Sequence, residues 1–242
     1  MDAKFDGTFE CDGTLRFDGT AAVREVANIN AYLIGGENII VKKVSKPLTE
    51  VAEMDFGNKP VDGGHLLMDS TQEVHELGLT AEQQQHFVRK ILGSAEMIRG
   101  IERYCLWIRD EDVVQAQEIS AIAKRLQAVA AMRQDSPKAP TVELAKYPHR
   151  FGEVRQTGDE TLIIIPSVSS ESRDYLPVGY EPSGTIVSNA AFALYDAPLW
   201  NMALIASRLH LIWIATVCGK LETRYRYSNT LGWNTFPVPL LT

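Results

Sequence analysis

Cysteine is scarce in this chain. Its 242 residues hold only Cys11, Cys105 and Cys218, far apart, with no CxxC pair or Cys/His cluster. This argues against a zinc site or a disulfide framework, and free thiols in a large core fit a reducing cytoplasm. Glycine-rich phosphate loops are missing, both the dinucleotide pattern and the P-loop. So are a GxSxG elbow and an HExxH helix. His65, His75, His86, His149 and His210 are scattered, with none placed as an obvious ligand or base. No basic start leads into an apolar run, so no signal peptide is expected. The longest apolar stretch, Leu199 to Cys218, contains Asn201, Arg208 and His210. It reads as a buried central helix and not as a membrane span.

What is present is ordinary in bulk. Hydrophobic residues make up 45% and charged residues 23%, enough for a sizeable core. The net charge of −7 speaks against a general nucleic-acid binder, but the charge is uneven. Residues 1–120 hold 12 Lys/Arg against 21 Asp/Glu, and residues 121–242 hold 12 against 10. Any polyanion should therefore meet the later half.

Several elements are legible. Three Asp-Gly-Thr copies in residues 5–20 suggest a small hairpin or an irregular lead-in. Met1 precedes no obvious start of a fold, so the sequence reads as a fragment. Ile39 to Val44 is a candidate strand, and the Gly/Pro/Asn/Asp-rich stretch Met54 to Gly64 a structured loop. Thr80 and Gln83 form a capping box for a helix whose apolar face is Phe87, Val88, Ile91 and Leu92, ended by Gly93. Arg103 to Ile108 reads as a buried strand with Trp107 in the core. Val113 to Arg133 reads as a helix with Ile119, Ile122, Leu126 and Val129 on one stripe. Thr161 to Ile165 is a core strand, with one or two more between Gly184 and Tyr195. Pro198 opens the helix 199–218, and Gly219 suits its left-handed cap. Strands and helices do not alternate regularly, so the fold class is α+β with mostly antiparallel strands.

No catalytic centre is visible. Glu143 and Lys146 faintly resemble a nuclease carboxylate–lysine pair, but their spacing is that of a helical i, i+3 pair. The Asn-Pro-Pro-Tyr-like segment with which an amino-group methyltransferase grips a flipped base is absent. What remains is recognition chemistry. If residues 222–228 are extended, Glu222, Arg224, Arg226 and Ser228 share one face, and Thr223, Tyr225 and Tyr227 share the other. Arg donates two hydrogen bonds to guanine O6 and N7, and Glu accepts from cytosine N4, so neighbouring Glu and Arg suit one C·G pair. On pattern alone, an edge strand with a surface ion pair worth under about 1 kcal/mol is the simpler reading.

Longer motifs shift that balance. KPLTEVAEMDFGNKPVDGGHLL, RYCLWI, MRQDS, IIIPSVSSESRDYLP and RYRYSNTLGWNTFPVP occur in this order. Their wording and order resemble the target-recognition region of MmeI-like (type IIL) restriction–modification enzymes and related DNA adenine-N6 methyltransferases, from about Asn28 to Pro239. The resemblance implies a lead-in, or the end of a methyltransferase catalytic domain, over residues 1–56, and a target-recognition domain over 57–242. It implies double-stranded DNA as partner, beside the methyltransferase catalytic domain of the same polypeptide. S-adenosylmethionine, and Mg if a nuclease is fused, would belong to the parent enzyme, with no cofactor or metal in this chain. Matching Glu-x-Arg-x-Arg before Tyr-Ser, base-reading positions fall on Glu222, Arg224 and Arg226, with a further one at Ala190. Ser169, Ser170, Arg173 and Tyr175 carry donors for the phosphate backbone, and Lys59 is a further backbone candidate. Other readings are a protein-interaction or specificity subunit that does not touch DNA, and a small hydrolase without a recognisable motif.

Overall fold

The computed structural model describes residues 3–5, 9–11, 27–32 and 35–238. Strands β1 (Ala3–Phe5) and β2 (Phe9–Cys11) pair antiparallel with Phe5 opposite Phe9. The three Asp-Gly-Thr copies themselves lie outside the described residues.

Residues 35–54 form no regular strand. Ile39 to Val44, expected to pair, is an extended strap with Ile39 and Ile40 exposed. Its backbone is held by other partners: Val44 N donates to Thr230 O, and Leu48 N to Asn234 O. Val41, Val51, Ala52 and Met54 contribute to an apolar core further along the chain.

The next segment supplies the first strand of one sheet, then three strands of another with their helices. In chain order these are β3 (Asp55–Phe56), β4 (Leu67–Met68), α1 (Thr71–Glu76), α2 (Ala81–Phe87), β5 (Val88–Leu92), α3 (Ser94–Arg99) and β6 (Tyr104–Leu106). They are followed by α4 (Val113–Glu118), α5 (Ser120–Gln134) and α6 (Ala139–Glu143). Thr80 caps α2 through the expected capping box with Gln83. The helix ends at Phe87, however, and Val88 to Leu92 turns into a strand. β5 is central in its sheet, antiparallel to β6 and parallel to the later strand at 185–187, and these pairings override the helical spacing. Gly93 opens α3 instead of ending α2. The expected helix 113–133 is present but breaks at Ile119, whose backbone is extended. Ile122, Leu126 and Val129 pack with Phe87, Leu106 and Met68 in a first core, with Trp107 against it. Lys146 pairs with Glu143 at 2.6 Å, as their spacing indicated.

The remainder runs β7 (Leu162–Pro166), β8 (Val168–Ser169), β9 (Gly179–Glu181), β10 (Thr185–Val187) and β11 (Ala191–Tyr195). Then come α7 (Trp200–Ile205), α8 (Arg208–Val217), β12 (Lys220–Leu221), β13 (Arg224–Arg226) and a π-helical turn, Asn229–Trp233. One sheet has the order β10-β5-β6-β4, a second β3-β11-β7-β9, and a third β12-β13-β8. All pairs between these strands are antiparallel except β5–β10, so the fold is α+β with mostly antiparallel strands.

β7 is buried on both faces. Ile163 and Ile165 face the second core with Phe192, Ile214, Tyr227 and Trp233, while Leu162 and Ile164 meet Leu92 and Val187 of the first sheet. Such double burial explains the unbroken apolar run in this strand. The expected single helix 199–218 is two helices, broken at Ala206 and Ser207, with the Ser207 hydroxyl accepting from His210 N to cap the second. It is not central either, since Leu199, Trp200, Leu209 and Ile212 are exposed. α8 ends at Cys218 in extended backbone, and Gly219 leads into β12 without a left-handed cap. Among the described residues no helix is long and apolar enough to cross a membrane.

Candidate nucleic-acid interface

The Glu/Arg segment is a tight hairpin. β12 and β13 are joined by Glu222 and Thr223 alone, with Leu221 opposite Arg224 and Lys220 opposite Tyr225. The other edge of β13 pairs with β8, with Tyr225 opposite Ser169 and Arg226 opposite Val168. The expectation of an extended run over 222–228 is therefore corrected. Arg224 and Arg226 share a face by alternation, but Glu222 sits in the turn with a positive φ of 58°. From there its Oε2 accepts from Arg224 Nη2 at 2.7 Å, and both side chains are exposed. The exposed Arg226 guanidinium has no ion-pair partner among the described residues.

A buried plug holds the far end of this strand. Tyr227 turns inward, and its hydroxyl bonds His210 Nε2 at 2.9 Å. Its ring lies 5.6 Å from Phe192, whose other neighbour is Phe56 at 4.4 Å. Burial pushes His210 down to about 3 and raises Tyr227 well above its ordinary value, so the pair is neutral near pH 7.

The polar loop after β8 lies against the hairpin. The Thr223 side chain beside the Glu171 carboxyl holds its pKa below the usual range. Ser170 and Ser172 share a hydrogen bond at 2.8 Å, and Arg173 and Tyr175 are exposed. Ser169 does not fit the backbone-contact role expected of it. Pairing with Tyr225 leaves it 4% exposed and its hydroxyl unpartnered among the described residues, so it cannot reach a phosphate in this conformation.

Ala190 is exposed in a turn that many bonds fix. Its carbonyl accepts from the hydroxyls of Ser94 and of Ser167, the latter at 2.7 Å. Ser188 N donates to Leu92 O and Asn189 N to Asn58 O. Ser167 directly precedes β8, so this turn lies beside the three-stranded sheet. Lys59, one residue beyond Asn58, has its ammonium 3.7 Å from Glu153.

A cleft of about 850 Å³ lies between β13 and the turn at Asn189, lined in part by Ser167, Asn189, Arg226, Ser228, Thr230 and Lys43; of the expected site residues only Arg226 lines it. Lys43, Asn189 and Glu171 were not singled out from the sequence. Asn189 adjoins Ala190, which was a usable signal. Lys43 offered none, because only the strap's path across the π-helical turn brings it here. Among the described residues no three His, Cys, Asp or Glu side chains are grouped to hold a metal ion.

The MmeI target recognition domain family matches residues 35–240. The chain belongs to this family. It is 38% identical over 217 residues to DNA methyltransferase A of Bacillus subtilis (strain 168), covering 90% of this chain and 24% of that protein. Among solved structures it is similar to the type IIL restriction–modification enzyme MmeI in complex with DNA, with a TM-score of 0.80 and 32% identity over 90% of this chain and 29% of that one. The chain thus spans about a quarter of the length of these relatives. Its MmeI-type fold accounts for the α+β architecture and for the order of motifs along the sequence.

Proposed function

We infer that this chain is the DNA sequence-recognition module of an S-adenosylmethionine-dependent DNA adenine-N6 methyltransferase or a fused restriction–modification enzyme. The observation that carries this reading is the β12–β13 hairpin of an MmeI-type domain, with Glu222 and Arg224 paired at its exposed tip and Arg226, without an ion-pair partner among the described residues, on the same strand face as Arg224. A two-stranded ribbon fits the major groove, where these side chains match base edges. Glu222 accepts from cytosine N4, Arg224 donates to the paired guanine, and Arg226 reads a neighbouring purine for which the small Ala190 leaves room. Their surface ion pair fixes the tip at little cost to open, since exposed pairs are worth about 0–1 kcal/mol. Ser170, Arg173, Tyr175 and Lys59 supply backbone contacts.

Residues 57–242 form the recognition domain in this proposal, and residues 1–56 the lead-in from the catalytic domain of the same polypeptide. Exposed Ile39, Ile40, Leu209 and Ile212 suit contact with that domain. The parent works in the cytoplasm. Its S-adenosylmethionine, and Mg where a nuclease is fused, bind outside this chain, whose sequence has neither the S-adenosylmethionine-binding glycines nor the Asn-Pro-Pro-Tyr segment.

The test exchanges the charges, Glu222→Lys with Arg224→Asp, in the intact parent enzyme. Genome-wide methylation mapping should show a changed requirement at one base pair, with discrimination of about 1–3 kcal/mol per bidentate contact. An unchanged target sequence would remove these residues from base reading.

A further inference from the structure

We propose that Lys43, carried by the strap and not by the hairpin, holds a DNA phosphate beside the base read by Arg226. This rests on the recognition reading above and adds a contact from a segment that reads in the sequence as a lead-in. Lys43 and Arg226 line the same cleft, and no Asp or Glu lines it with them. Neither has an ion-pair partner among the described residues. Several cations elsewhere on the surface are matched, as Lys46 with Glu53 at 3.2 Å, Arg109 with Asp159 at 2.6 Å and Arg150 with Asp110, and exposed cations without an ion pair among the described residues, such as Lys42, Lys124 and Arg208, do not line this cleft. In a chain of net charge −7, two unmatched cations in one carboxylate-free cleft make a local attraction for a polyanion.

The backbone around Lys43 is fixed. Val41 N donates to the Tyr32 hydroxyl at 2.6 Å, Val44 N donates to Thr230 O at 3.1 Å, and Val44 O accepts from Asn234 Nδ2 at 3.0 Å. Lys42 does not line this cleft and instead lines a different groove, with Ile40 and Val44. Lys43 is thus a flexible point charge on a rigid base, the form that suits a phosphate. The planar fork of Arg226 suits a base edge. The two divide the work of register and readout.

The experiment titrates the chain with two unrelated duplexes across a range of salt concentrations, by fluorescence anisotropy, after a thermal melt confirms that each variant folds. Lys43→Ala should weaken both duplexes by a similar factor. It should also make the slope of log K against log salt shallower by about 0.9, the share of one phosphate contact. Lys43→Arg should keep the wild-type slope, and so should Lys42→Ala. An unchanged slope in Lys43→Ala, or a loss confined to one duplex, overturns the assignment of Lys43 alone. A wild-type chain without salt-dependent affinity for either duplex overturns the recognition reading, and the role of Lys43 with it.

Discussion

Glu222 combines two demands that conflict. Its φ of 58° is a backbone region that side-chain-bearing residues avoid, and the first position of a two-residue hairpin turn with positive φ normally goes to glycine. Holding a non-glycine residue there costs about 1–3 kcal/mol. Glycine would lose about 0.5–1 kcal/mol of that gain to chain entropy. Losing the surface pair with Arg224 takes up to about 1 kcal/mol more. Glu222→Gly should therefore raise stability by a little under about 1 kcal/mol at the middle of these ranges, with bounds of about −1 and about +2.5 kcal/mol, while removing the acceptor for cytosine. Urea unfolding checks the first part, and a clear loss of stability would mean the turn is not strained. A carboxylate kept at a glycine position is what a reading role predicts and what a plain surface turn does not. Arg133 shows the opposite case, a charge spent wholly on structure. It is fully buried, and its guanidinium donates to the carbonyls of Pro60, Val61, Leu144, Tyr147 and Arg150. It continues the buried stripe of Ile122, Leu126 and Val129, so its spacing was visible in the sequence even though its charge pointed outward.

At the scale of elements, the reading strand is only as rigid as the Tyr227 plug behind it. That plug sets a pH dependence. The folded pKa of His210 is near 3, below its ordinary 6.5, so protons bind the unfolded chain more readily. Its contribution is complete above pH 6.5 and is lost as pH falls from there toward 3. We expect the urea midpoint to drop between pH 6.5 and 4.5, and the double variant His210→Phe with Tyr227→Phe to show a flatter profile over that window. Equal slopes in both proteins would show that other groups dominate. Local signals were legible in the sequence: the Thr80 capping box, the 122–126–129 stripe, and the apolar run of β7. Long-range pairing was not. Val88 to Leu92 fits a helix face by spacing and becomes a strand because β6 and β10 flank it. The helix 199–218 breaks because Ser207 caps its own downstream half, a signal hidden inside an apolar run. For the site, the residue types were readable, but the placing of the Glu222 turn and the burial of Ser169 depend on the pairing of β13 with β8, which are far apart in the sequence.

For the whole molecule, two sheets must act as one body if the turn at Ala190 is to stay in register with the hairpin. Asn58 is the stitch. Its Nδ2 donates to Gln156 Oε1 and Val187 O, and its Oδ1 accepts from Arg155 N, joining the end of β3 to β10. Asn58→Ala should cost at least about 2 kcal/mol, because it leaves buried partners unsatisfied. Unfolding should remain a single urea transition, and a second transition in the wild type would show that the sheets are independent. The charge split along the sequence understates the first half, since Lys43 comes from it and reaches the later half's cleft. That strap has a further consequence for how the chain is made. Ala52 O and Val44 O wait for Trp233 and Asn234, 181 and 190 residues downstream. Through most of synthesis these two carbonyls lack their partners, and Val41, Val51 and Met54 are without most of the core they will join. The second core should therefore close only after residue 234 has left the ribosome, so the cleft is among the last parts of this domain to exist.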